Sequence, residues 1–85
     1  MYIVPEYIQI TEIEEKYVLL DCRDNYFYGI SKSGGEFLEQ IKSHGDLEKA
    51  IKRLSNVYNI SLDRIEEDMV TFLEKLSEKG LILKR

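Results

Sequence analysis

The only histidine in the chain, His44, stands between Ser43 and Asp46 in the stretch SHGD, a grouping that invites a nucleophile, a base and an orienting acid. Catalytic triads converge in space from separate elements, however, and a short polar run of this kind is first of all a helix stop followed by a helix start. The single cysteine, Cys22, has Arg23 beside it, a neighbour that lowers a thiol pKa, but no general base accompanies it. It reads as a plain, partly buried thiol. One His and one Cys are too few for a four-ligand zinc site, and neither Glu14-Glu15 nor Glu66-Glu67-Asp68 has calcium-loop spacing. The pair Gly34-Gly35 suggests a phosphate cradle only faintly, since neither GxxxxGK(S/T) nor GxGxxG is present. The residue inventory points away from an enzyme, and it calls for no cofactor and no metal.

Function must then come from surfaces, which the composition narrows. The chain has 85 residues, enough for one domain (1–85) with one core. Apolar residues make up 44% and charged residues 33%, a globular rather than a disordered balance. A net charge of −4 gives no electrostatic footprint for nucleic acid or anionic lipid. The start MYIVPEYIQI lacks the features of a signal peptide, and no window is long and apolar enough to span a bilayer. One cysteine allows no intrachain disulfide, so the expected location is the cytoplasm.

Three runs have the signature of strands. YIQITEI (7–13) alternates Ile8 and Ile10 with Gln9 and Thr11, and Pro5 favours an extended approach to it. YVLLD (17–21) and YFYGI (26–30) flank the turn-prone Asp24 and Asn25 and predict a hairpin. Successive strands with short connections form an antiparallel meander, which leaves the third strand with an unpaired edge. Three helices follow. Ser33 to Glu36, SGGE, has capping-box spacing and predicts a first helix with Phe37, Leu38 and Ile41 on its apolar stripe. Asp46 caps a second, LEKAIKRLSNVY, whose apolar face carries Leu47, Ala50, Ile51, Leu54 and Tyr58. Ser61 caps a third, where Leu62, Ile65, Met69, Phe72, Leu73 and Leu76 follow the 3.6 period and Gly80 takes the left-handed terminal place. LIL (81–83) then packs back as a short extended tail. The fold class is α+β, a three-stranded antiparallel sheet followed by three helices.

An aromatic strand with a free edge is an aggregation hazard that soluble proteins usually blunt with Lys or Pro, and YFYGI contains neither. Either something covers it or something binds it, and an extended peptide adding to the edge would draw affinity from main-chain hydrogen bonds. Alternation places Tyr26, Tyr28 and Ile30 on one face and Phe27 and Gly29 on the other. At least two of the three aromatics are expected in the core. The third helix has apolar residues beyond one stripe, Val70 among them, so it is expected to show a groove face beside its core face.

The run YVLLDCRDNYFYGISKSGGEFLEQI, a short helix, and EEDMVTFLEKLSEKGLI together resemble the PqqD-like family of peptide-recognition domains over residues 7 to 83. The resemblance rests on the hairpin with its Tyr-rich strand, the Gly before the first helix, and the closing pattern of Asp68, Met69, Phe72, Leu73, Leu76, Gly80 and Leu81. It implies a winged helix-turn-helix-like fold that binds the leader segment of a ribosomally synthesised precursor peptide. The leader would dock as an extra strand along Tyr26, Phe27, Tyr28, Gly29 and Ile30, in a groove drawn from Asp68, Met69, Phe72, Leu73 and Leu76. Which of these helix positions face the groove and which the core stays open. The free-standing length is most similar to the leader-binding protein of lasso-peptide assembly, with a separate leader peptidase and a cyclase as implied partners.

Two other readings share the order of elements. A PqqD-like chaperone could serve a radical SAM enzyme of another peptide pathway. A winged-helix DNA-binding module would need a basic recognition helix, whereas residues 63–79 carry Asp63, Glu66, Glu67, Asp68, Glu74 and Glu78 against Arg64, Lys75 and Lys79. The edge could also serve strand exchange, making the chain a monomer or a strand-exchanged dimer.

Overall fold

The computed structural model describes all 85 residues. In chain order the elements are β1 (Tyr2–Ile3), β2 (Ile8–Ile13), β3 (Lys16–Asp21), β4 (Tyr26–Ile30), α1 (Lys32–His44), α2 (Leu47–Tyr58), α3 (Leu62–Glu78) and β5 (Leu83–Lys84). The expected meander is present as the antiparallel sheet β2-β3-β4, with β3 paired on both sides. The strand foreseen as the third is β4, and within the sheet it is an edge. The tail after Gly80 does more than pack back: β5 pairs antiparallel with β1, joining the two ends of the chain.

Side-chain alternation divides the sheet into two faces. Ile8, Tyr17, Leu19 and Asp21 point inward and are buried, and the helices cover them. Phe37, Leu38 and Ile41 of α1, Ala50, Ile51 and Leu54 of α2, and Ile65, Met69, Leu73 and Leu76 of α3 complete the core with Leu81 and Ile82. Leu62, expected on that stripe, is the first residue of α3 and is 47% exposed.

Helix ends follow the local chemistry with one change. Asp46 Oδ1 accepts from the Lys49 N–H at 3.2 Å and Ser61 Oγ from the Arg64 N–H at 3.4 Å, as their spacing predicts. Gly80, at φ +71°, closes α3: its N–H donates to Ser77 O and the Leu81 N–H to Leu76 O, the paired bonds of a Schellman end. At α1, by contrast, the cap is Ser31 rather than Ser33. Ser31 is extended and its Oγ accepts from the Gly34 N–H at 3.2 Å. Glu36 is thereby released from the capping box, and its Oε2 accepts from the Tyr58 hydroxyl at 2.8 Å. Burial and this bond push the Tyr58 phenol up to about 12.

The earlier start of α1 accounts for the glycine pair. Gly35 lies directly on the ring of Tyr17, so that a Cβ there would overlap the ring carbons, and a Cβ at Gly34 would stand 3.2 Å from Phe72 Cζ. The glycines let α1 approach both the sheet and α3.

Candidate functional site

The seam between β4 and α3 is held at both ends. At one end the Phe72 ring packs against the Gly34 backbone, next to the point where β4 passes into α1. At the other, Lys79 Nζ sits 5.8 Å from the centroid of the Tyr28 ring. Positions 68, 72, 75 and 79 recur at i, i+4, i+7 and i+11 and share one helix face. The helix face that carries Phe72 and Lys79 therefore also carries Asp68 and Lys75, both exposed.

The frame around the Lys79 end is polar. Asp21, 2% exposed at the end of β3, accepts from Arg23 Nε at 3.0 Å, Nη2 at 2.7 Å and the Arg23 N–H at 3.0 Å. Those bonds hold its carboxyl below the usual aspartate range despite the burial that pushes the other way. The same guanidinium stacks 4.2 Å from the centre of the Tyr7 ring and donates to Lys79 O at 3.3 Å, at the negative end of the α3 dipole. Tyr7 donates its hydroxyl to Gly80 O at 2.8 Å. The β3–β4 turn and the end of α3 are thus one unit, and Asp24 Oδ1 takes the Tyr26 N–H at 3.2 Å where β4 begins.

Along β4 the expected core aromatics are mostly outside it. Tyr26 is 58% and Phe27 66% exposed, while Tyr28 and Ile30 are half-buried against the core and Gly29 is exposed. The Tyr26 and Tyr28 rings lie 4.9 Å apart, tilted by 41°, and line the inner side of the edge. Exposure wins at Tyr26 and Phe27 because no helix extends over the first residues of β4, and Phe27 points to the uncovered face of the sheet.

Of the five α3 positions drawn as groove, Asp68 is exposed and Phe72 half-buried, but Met69, Leu73 and Leu76 belong to the core at 8%, 1% and 6% exposure. They are the stripe that binds α3 to the rest of the domain, so their side chains do not open on the seam. Val70 lines a depression with Tyr2, Glu74 and Lys84 on the opposite flank of α3, beside the terminal strands. Sequence reasoning missed Lys79 at the seam, although its spacing from Phe72 was available as the signal. It also missed Arg23 as the tie between turn and helix, whose partners are distant in sequence.

The remaining chemical candidates are structural or isolated. The Asp46 N–H donates to His44 Nδ1 at 3.0 Å, and Nε2 lies 3.2 Å from Gln40 Oε1, so the ring caps the α1–α2 connector. Cys22 is exposed rather than partly buried. Its N–H donates to Tyr7 O at 2.8 Å.

The arrangement that remains is a strand edge with aromatic flanks beside a helix. The family model for coenzyme PQQ synthesis protein D (PqqD) matches residues 16–82, from the start of β3 to the residue before β5. The chain belongs to the PqqD family. No curated protein gives a significant match. Among solved structures, TbiB1 in complex with the TbiA(beta) leader peptide matches this PqqD-family chain with a TM-score of 0.86 at 18% identity, covering 96% of this chain and 95% of that one. A lasso peptide synthetase B1 complexed with the leader peptide matches with a TM-score of 0.84 at 17% identity, covering 98% of each chain. At such identities the likeness is one of fold, and it runs nearly from end to end.

Proposed function

We propose that this PqqD-family chain binds the leader segment of a ribosomally synthesised precursor peptide by strand addition to β4, in lasso-peptide biosynthesis. The observation that carries the reading is the state of β4 itself. It pairs only with β3, bears exposed Tyr26 and Phe27, and runs beside Phe72 and Lys79 of α3. An extended peptide would pair with its main chain and set alternate side chains into the seam with α3. Two chains of the same fold have been solved as complexes with leader peptides, one of them a lasso peptide synthetase B1, which favours the lasso setting over a radical SAM pathway.

In this role the chain has no chemistry of its own. It would hold the precursor and deliver it to a separate leader peptidase and then to a cyclase. The DNA-binding reading has little support, because the exposed first half of α3 presents Asp63, Glu66, Glu67 and Asp68, which repel phosphates.

The test is titration calorimetry with the synthetic leader of the precursor encoded beside the gene, alongside a duplex DNA control. The expected dissociation constant is about micromolar or tighter, roughly −8 kcal/mol. Absence of leader binding together with salt-sensitive DNA binding would overturn the reading.

A further inference from the structure

Gly29 interrupts β4 between two large residues, Tyr28 and Ile30, and glycine inside a strand weakens it. Within the folded chain nothing requires it. Gly29 is not at positive φ, and a Cβ built there meets nothing within 4 Å. On the sheet face away from the helices, Gly29 pairs with Val18 and Phe27 with Leu20. Val18 and Leu20 are half-buried and Phe27 is 66% exposed. The outer face therefore presents an apolar shelf of Val18, Leu20 and Phe27, with a notch at Gly29 that opens on the free edge.

We propose that this notch receives one large apolar side chain, aromatic or β-branched, from the peptide that docks on β4, so that the peptide is read on both faces of the sheet. The inference rests on strand addition to β4 as proposed above. A strand added there turns alternate residues to each face. Those facing α3 meet Tyr28 and Phe72, and those between them fall opposite Phe27 and Gly29. Directly opposite residues approach to Cβ distances of about 4.5–5.5 Å. With no Cβ at position 29, a ring can lie across the glycine backbone toward Val18, as aromatics do over edge glycines, with Phe27 walling one side. The notch lies in the docking strand itself and opens on its edge. That continuity assigns it to the docked strand rather than to a separate partner.

The experiment titrates the wild type, Gly29→Val and Phe27→Ala with the leader encoded beside the gene and with an alanine scan of that leader, while following amide exchange in β4. Gly29→Val should fold with an equal or higher Tm and bind the leader at least tenfold more weakly, and Phe27→Ala should also bind more weakly. One outward leader residue should cost the wild type tenfold or more on replacement by Ala, yet cost Gly29→Val less than twofold. Wild-type affinity in Gly29→Val and Phe27→Ala, with β4 amides protected by the leader in each, would overturn the notch and leave strand docking intact. Leader binding to the wild type without protection of β4 would remove strand docking and the notch together. A changed sedimentation coefficient in Gly29→Val with unchanged leader affinity would assign the shelf to a second copy of the chain and also overturn the proposal.

Discussion

Arg23 Nη2 lies 2.7 Å from Asp21 Oδ2 and 3.3 Å from the carbonyl of Lys79, so one guanidinium ties a buried carboxylate in the sheet to the last turn of α3. The tie joins the β3–β4 turn, from which β4 starts, to the end of α3. Arg23→Ala leaves Asp21 buried without its partner, the costly way to break such a pair. Its Tm should fall by roughly 5–10 °C, measured by thermal unfolding, and leader affinity should fall with it as the seam loosens.

The same pair sets an acid limit. Because Arg23 holds the Asp21 carboxyl below its ordinary value of 3.8, the folded state binds that proton more weakly than the unfolded one. This contribution to stability is complete above the unfolded value and disappears as pH falls through the lower folded one. Urea unfolding of the wild type should show stability falling below about pH 4. Asp21→Asn should begin less stable at neutral pH and lose part of that acid dependence.

Gly35 and Gly29 predict opposite outcomes for one substitution. In a helix, Gly→Ala ordinarily stabilises by up to about 1 kcal/mol. At Gly35 the new Cβ overlaps the Tyr17 ring, so Gly35→Ala should instead destabilise by about 1–3 kcal/mol through forced repacking. Gly29→Ala, with open space around it, should be neutral or slightly stabilising by denaturant unfolding.

The β2–β3 turn holds a removable strain. Glu14 sits at φ 59°, a left-handed conformation that disfavours a side chain with a Cβ. Glu14→Gly should raise stability by about 0.5–1 kcal/mol after the entropy of the added glycine is counted, and should leave leader binding unchanged.

On α3, Phe72 and Met69 should separate binding from stability. Phe72→Ala should weaken leader binding tenfold or more with a smaller loss of stability, because its half-buried ring borders the seam. Met69→Ala should cost about 2–5 kcal/mol of stability, as a core truncation does. Calorimetry and urea unfolding of the two variants measure the difference.

What the sequence shows of this fold is what local chemistry controls. Strand alternation, the caps at Asp46 and Ser61 and the left-handed Gly80 each depend on a few neighbouring residues, and each is where the pattern puts it. The misplaced cap shows the limit. SGGE at Ser33 has the right letters, but the helix starts two residues earlier, where Gly34 and Gly35 can meet Phe72 and Tyr17, contacts invisible without the fold. Pairing of Tyr2 with Lys84 joins opposite ends of the chain through two-residue strands too short to carry a period. For the candidate site, the edge of β4 was legible from strand order. The side of α3 facing it was legible only in part: Asp68 and Phe72 were among the positions drawn, but Met69, Leu73 and Leu76 mark the core, and Lys79, which reaches the Tyr28 ring, was passed over because its letter carries no apolar period.

Hydrogen exchange of the Tyr26–Ile30 amides, followed by NMR with and without the leader peptide, tests strand addition most directly. Those N–H groups of β4 that point away from β3 face solvent in the free chain and would become ladder donors in the complex. The predicted result is a slowing of at least tenfold at alternate residues of β4, with cross-strand contacts from the peptide to the same residues. Saturating leader binding with β4 amides exchanging at their free rates, and protection appearing on another element instead, would contradict it.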